Sequence, residues 1–576
     1  MSILAILLVV AVVAAGVVAI VLATRKPQTP SDSTAEPTAR RLIVFILLFV
    51  LVVLGAIGLA GLLGRLFGAH AELVGGAHAD LARSLAFTLI AGPLAVLLWW
   101  IVWRRANAPA ERAAAGWGLY VAGMWVVSLI TAVSSLLITA AALIGGDWQP
   151  QTLATGLVWA GVWAWHRWMA AHPDRGPLQL TTVAPTLTAA YGLIIGTGGA
   201  VTALGVLLDT AIRGFAMTAT LGRPWWQGAL AALVWAVGGG LVWWWHWVRE
   251  NVRGLQDALA HVLLVLVGIL GASILTLVGA GIALDTLLRL AFNPVEPTVR
   301  ILEPLGGAIA AAALGALVWI YHDRLVHGHS PAIGRTARLV ASGVTLVAAA
   351  SGVGVIVNSL LAALGAPLVG AATRDLLLAG ISSLVVGGPL WWLNWRSARH
   401  LDPAHATTGR RIYLIAVFGL SAVSALITLL IIGYQAFEFT LEATSGGSLI
   451  DRVRAPLGVF VATGLVAAYH FSVWRQDRSV LAETPRRQRA IGWVILVAAA
   501  DADRQKRVIE AATGAAVTVW QRSDAVAVPA AGAGTDVPPA GPSTELLSQA
   551  LVGVTGKRVL VVTGLGSQVD VIPLRD

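Results

Sequence analysis

The chain of 576 residues is 57% apolar and only 12% charged, with a mean hydropathy of +0.80, which lies outside the range of soluble globular proteins. Its formal net charge of +10 would point to nucleic acid in a soluble chain; in a membrane chain it reflects arginines held in loops that stay cytoplasmic during insertion. The absence of cysteine excludes disulfides, thiolate nucleophiles and Cys-ligated zinc or iron–sulfur centres, and leaves the redox compartment open.

Residues 1–24 form an uncharged apolar run followed directly by Arg25-Lys26. A secretory signal carries its positive charges before the apolar run. The segment therefore reads as a membrane anchor with its N-terminus outside, with a cleaved signal as the alternative. Residues 25–40, with Pro27, Pro30 and Pro37, read as a polar linker.

Six hairpins follow, at 41–104, 116–168, 187–249, 257–324, 336–396 and 411–475. Each has two apolar runs of the roughly 20 residues that a bilayer core requires. With the anchor they make thirteen expected spans. Each second helix closes on an aromatic motif, fullest at Trp243-Trp244-Trp245-His246-Trp247-Val248-Arg249. The position of His246 reads Val102, His166, His246, His322, Asn394 and His470 along the chain, with steps of 64, 80, 76, 72 and 76 residues. That periodicity defines six two-helix repeats. Grouped in twos, they divide the chain into pairs at 41–180, 181–330 and 331–476.

Lys and Arg number 23 in the links after the anchor and after the motifs, against nine in the turns inside hairpins. The motifs are therefore expected on the cytoplasmic face of a bacterial inner membrane. Helix interiors carry Gly196-Thr197-Gly198-Gly199 and Gly238-Gly239-Gly240. In lipid, where helices lack a hydrophobic drive to associate, such small residues let backbones approach. Pro93 and Pro389, each preceded by glycine, are expected to kink the second helices of hairpins one and five.

A basic linker at 477–489 leads to a C-terminal domain at 490–576. Its pattern predicts a strand at 491–499, a helix at 501–512, a strand at 515–521, a loop at 525–542, a helix at 543–551 and strands at 558–563 and 568–572. Leu565-Gly566 suits a hairpin turn between the last two. The fold class is thus an all-α polytopic membrane protein with a small cytoplasmic α/β domain of ferredoxin-like size.

Arg410-Arg411-Ile412-Tyr413-Leu414-Ile415-Ala416-Val417-Phe418-Gly419-Leu420, with the preceding Pro389-Leu390-Trp391-Trp392-Leu393-Asn394-Trp395-Arg396, resembles an uncharacterised bacterial membrane domain, domain of unknown function family 5671. That domain covers about two hairpins, so the resemblance implies three copies in tandem over 41–476. It implies no catalytic or binding residues.

Two sets of positions are candidates for function. The first is Trp165, His166, Trp245, His246, Tyr321, His322, Asn394 and His470, whose four histidines could ligate haem iron if they faced one another across a bundle. The plainer reading, adopted here, is an interfacial aromatic belt that sets helix depth. Asp209 with Arg213, and Asp285 with Arg289, stand one turn apart near the opposite helix ends, with Asn358 in the acid's place in hairpin five. Such acid–base pairs neutralise themselves at the membrane boundary, or else line a proton or ion path with Arg223, Arg300 and Arg374. In the C-terminal domain, Gly556-Lys557 and Gly564-Leu565-Gly566 are too sparse for a phosphate loop. The sequence points to no cofactor, metal or nucleic-acid partner. The expected partners are the bilayer and other membrane proteins, and the expected role is a non-enzymatic scaffold or sensor. A transporter or channel is the first alternative, and a haem-carrying electron-transfer protein, which a Soret band would reveal, the second.

Overall fold

The computed structural model describes residues 35–68, 77–215, 224–293, 296–329, 331–365, 371–399, 408–441, 448–483, 491–498, 502–521, 543–552, 554, 556–564 and 568–574. The expected anchor at 1–24, the loop at 525–542 and the Leu565-Gly566 turn lie outside them. The described residues divide into two compact units, one ending at Phe471 and the other beginning at Ser472.

Twelve long helices make up most of the first unit among the described residues. They are α1 (Ala35–Phe67), α2 (Ala77–Ala86, continuing through a π turn at Phe87–Ala91 into Gly92–Arg105), α3 (Ala115–Ile144), α4 (Pro150–Ala171), α5 (Val183–Phe215) and α6 (Trp225–Trp244, ending in a π turn at Trp245–Arg249). There follow α7 (Ala258–Leu263, a π stretch at Leu264–Gly271, then Ala272–Phe292), α8 (Leu305–His329), α9 (Pro331–Gly365), α10 (Ala371–Arg399), α11 (Thr408–Leu441) and α12 (Leu449–Glu483). Eleven of these helices are long and apolar enough to cross a membrane. Two of the thirteen expected spans are not among them. Helix α4, which carries Gln151, Thr152 and Thr155 at its start, is long enough but not apolar enough, and the anchor is not described.

The two helices of a hairpin meet through small residues. On α5 and α6, a Cβ added at Gly196 would lie 2.9 Å from the Gly240 nitrogen and 3.0 Å from the Gly239 carbonyl carbon. Any side chain there would push the backbones apart, so the two glycine runs singled out by the sequence are the contact surface of one hairpin. In pair one, Phe45, Leu48, Val52, Tyr120, Met124 and Trp159 form a filled core. Pro93 follows the π turn of α2, where the wider turn takes up the hydrogen bond that proline cannot make. Pro389 lies inside α10, and α12 carries Pro456 in its interior, which was not anticipated.

Helix α12 runs to Glu483, so the first half of the expected linker is helical. Beyond it, β1 (Ile491–Ala498), α13 (Ala502–Thr513), β2 (Ala516–Gln521), α14 (Thr544–Ala550), β3 (Gly556–Thr563) and β4 (Val569–Leu574) lie within a residue or two of the expected elements. The strands form one sheet in the order β2-β1-β3-β4, the first three parallel and β4 antiparallel to β3. One face is buried: Val494, Leu496, Val559 and Val561 pack with Ile509 of α13 and Leu547 of α14. The Thr563 hydroxyl donates to Gln505 Oε1 at 2.8 Å, with both side chains buried. The other face presents Trp493 and Ile572, both about half exposed.

Candidate functional site

The aromatic motifs meet in twos rather than acting alike. In pair three, the fully buried Trp395 at the end of α10 donates from Nε1 to the Tyr469 hydroxyl at 2.7 Å. Its ring centroid lies 5.6 Å from that of His470 and 5.4 Å from that of Tyr413. Trp391 stands edge-on to Tyr469 at 5.6 Å. Pair two repeats this arrangement: Trp247 Nε1 donates to the Tyr321 hydroxyl at 2.9 Å, Trp247 lies 5.6 Å from His322, and Trp243 is edge-on to Tyr321 at 6.0 Å. Pair one keeps the edge-on contact, Trp99 to Trp165 at 5.1 Å. Trp165 has no hydroxyl, however, and Trp99 Nε1 donates to Met169 Sδ instead. The motif of an odd hairpin thus supplies the indole, and that of the following even hairpin supplies the ring and histidine that receive it.

The histidines turn inward. His166, His246, His322 and His470 are at most 2% exposed. Each Nδ1 donates to the carbonyl four residues back, Val162, Val242, Val318 and Val466 respectively, at 2.8 to 2.9 Å. The Asn394 side chain donates to Leu390 O in the same way at 2.8 Å. A neutral imidazole protonated at Nδ1 is an acceptor at Nε2, so Tyr120 donates its hydroxyl proton to His166 Nε2 across 3.1 Å. Nε2 of His246 and of His470 is buried without a hydrogen-bond partner. Trp245, by contrast, is 43% exposed, as a belt residue would be.

Pairs one and two also meet at this end. Arg167 bonds Glu250 at 2.7 Å and lies over the Trp125 ring at 4.9 Å. Together with Thr181, these residues line a cavity of about 230 Å³.

At the opposite helix ends Arg289 has partners besides Asp285. Arg289 pairs with Glu296 and, at 3.7 Å, with Asp375 of the next hairpin. Asn293 donates to Asp375 at 2.9 Å, and Arg374 donates to Phe292 O at 3.2 Å. Hairpins four and five are thereby tied together, and Asp285 does not take Arg289 as its hydrogen-bond partner. One oxygen each of Asp209, Asp285 and Asn358 is buried without a hydrogen bond, and Arg213 lies one turn beyond Asp209 on α5. Of the three, Asn358 lines a cavity. This space, of about 460 Å³, lies between α9, α11 and α12. Among the described residues, no three His, Asp or Glu side chains come together as a metal-holding group.

Sequence reasoning missed Glu296, Asn293 and Asp375, and it missed the division of labour between motifs. A signal for the latter was present: Trp247 to Tyr321 and Trp395 to Tyr469 are both separations of 74 residues.

A bundle of long apolar helices joined through small residues, its buried rings repeating from pair to pair, defines a polytopic membrane protein. Residues 41–165 and 335–465 match the profile of a family described as Domain of unknown function (DUF5671). No curated protein and no solved structure matches the chain.

Proposed function

We propose that the protein is a membrane-embedded scaffold or sensor of three tandem four-helix units, displaying its C-terminal α/β domain in the cytoplasm of a bacterial cell. The observation that carries this reading is the continuity of α12. The helix supplies Ala455, Val459 and Thr463 to the wall of the 460 Å³ cavity and continues to Glu483, past the start of the second unit at Ser472. The middle unit, 181–330, lies outside the two family-matched regions, and its membership rests on the shared Trp–Tyr–His contact. Placement of the motif-bearing ends in the cytoplasm rests on the excess of Lys and Arg there.

Truncation after Arg489 tests the two-module reading: a bundle that inserts and assembles unchanged supports it, and one that fails to assemble defeats it. The cysteine-free chain suits single-cysteine labelling for orientation. Ala108→Cys is expected to react only with reagent on the inside and Gly145→Cys only with reagent on the outside. The reverse pattern would overturn the topology.

A second reading, transport of a small solute or ion, is favoured by Asn358, whose unpartnered oxygen lies at the larger cavity. Proteoliposomes that pass solute or protons at a rate sensitive to Asn358→Leu would support it. Equal leakage from both variants would end it.

A further inference from the structure

The two family-matched regions share a frame but differ in its filling. Ser128 donates to Met124 O as Ser421 does to Val417 O, and the Nδ1 bonds of His166 and His470 are the same. Tyr120 stands beside His166 as Tyr413 does beside His470. With these positions superposed, Met124 corresponds to Val417, Gln151 to Ala455, Val158 to Ala462 and Trp159 to Thr463. In pair one Met124 and Trp159 are buried to 0% and 2% exposure and close the core. In pair three their smaller counterparts border the 460 Å³ cavity.

The shape of this space is specific. Along α9 it reaches from Gly343 to Asn358, which at 1.5 Å per residue is about 22 Å. An apolar cavity of ~150 Å³ accepts a six-carbon ring, so this one accepts on the order of eighteen carbons. A space of that length and volume fits one extended hydrocarbon chain. Its lining is mostly apolar, and apolar spaces of this kind stay dry and take hydrocarbon rather than water. Val347 and Leu420 line it and are 66% and 73% exposed, so it opens toward lipid between α9 and α11. At its far end Asn358 Oδ1 is buried with no partner. A carboxamide carries an acceptor and a donor side by side, which is the complement of a protonated carboxylic acid, and the neutral acid form is the one that low-dielectric surroundings favour.

We infer that pair three binds a free long-chain fatty acid of about eighteen carbons, its chain between α9, α11 and α12 and its carboxyl group on the Asn358 amide. The site is independent of any signalling role. A protein that holds the fatty acid but passes nothing to its C-terminal domain defeats the sensor reading and leaves this one standing.

The test uses the full chain in nanodiscs, with an eighteen-carbon fatty acid bearing a diazirine in its chain. Photolabelling is expected on peptides of α9, α11 and α12, with competition by stearic acid. The variant Ala462→Val/Thr463→Trp, which restores the side chains of pair one, is expected to lower labelling at least tenfold. Asn358→Leu is expected to retain labelling and to lose the preference for the acid over its methyl ester. Labelling that is unchanged in the filled variant, or that maps to α1–α4, overturns the proposal. Should the filled variant fail to fold, Ala455→Gln with the same readout takes its place. Mass spectrometry of the unlabelled wild type provides an independent check: bound fatty acid supports the assignment, whereas phospholipid held through both of its chains overturns the ligand class.

Discussion

Trp395→Ala separates a buried structural ring from an interfacial one. In a soluble core a Trp→Ala change costs ~3–5 kcal/mol. Part of that is transfer from water, which lipid does not supply, so roughly 2–3 kcal/mol of lost packing remains at this fully buried site. The bond to Tyr469 at 2.7 Å adds about 0.6 kcal/mol, the mean for interhelical hydrogen bonds in membranes. The expected total is about 3 kcal/mol for Trp395→Ala and about 0.6 kcal/mol for Tyr469→Phe. The cycle of Trp395→Phe with Tyr469→Phe should show a coupling of about 0.6–1.7 kcal/mol. Trp245→Ala, four-tenths exposed in the same motif of hairpin three, should stay within about 0.5 kcal/mol of wild type. SDS-driven unfolding of the full chain in mixed micelles, followed by far-UV circular dichroism, gives all four values. If Trp395→Ala unfolded with the wild type, or Trp245→Ala fell further than Trp395→Ala, the assignment of buried and interfacial rings would be wrong.

Gly239→Val, which would meet the Gly196 Cα, should cost roughly 1–3 kcal/mol by overpacking, while Gly240→Ala, with open space at its Cβ, should be neutral or slightly stabilising; the same unfolding assay compares them. Arg289→Met leaves Glu296 and Asp375 without their shared cation. Because these side chains are only partly buried, roughly 1–2 kcal/mol should be lost, and the added changes Glu296→Gln and Asp375→Asn should restore most of it. In the second unit, Thr563→Val removes the buried hydroxyl that donates to Gln505 Oε1. A loss of ~1–3 kcal/mol should appear as faster hydrogen exchange in β3 and α13, with α1–α11 unchanged.

The hairpins were legible because lipid imposes a length on every span and because arginines and tryptophans mark their ends. The C-terminal strands were legible because short apolar runs bounded by polar segments leave few other readings. The pairing of the motif rings was not. In hairpin three Trp247 is buried and Trp245 is not, as Trp395 is buried and Leu393 is not in hairpin five, where the helix has no π turn. Five consecutive ring-bearing positions, Trp243 to Trp247, look equivalent until the contacts of each are known. The surroundings of Arg289 were legible only in part. The i,i+4 rule offered Asp285, whose charge acts on Arg289, while Glu296 and Asp375 of hairpin five add closer ion pairs that sequence spacing does not announce. The cavity was hidden because it arises from three helices whose small residues are far apart in sequence, each unremarkable in its own helix.

The shared ring contact also sets what the chain can gain or lose as a piece. Trp247 of hairpin three is completed by Tyr321 of hairpin four, and Trp395 of hairpin five by Tyr469 of hairpin six. Excising one hairpin would preserve the orientation of every remaining span, yet strand an indole or its acceptor in the bundle. Excising a consecutive odd–even pair removes both partners together. On the proposed division into four-helix units, such a unit is what can be gained or lost whole, and natural length variants of this architecture should differ by whole pairs of hairpins.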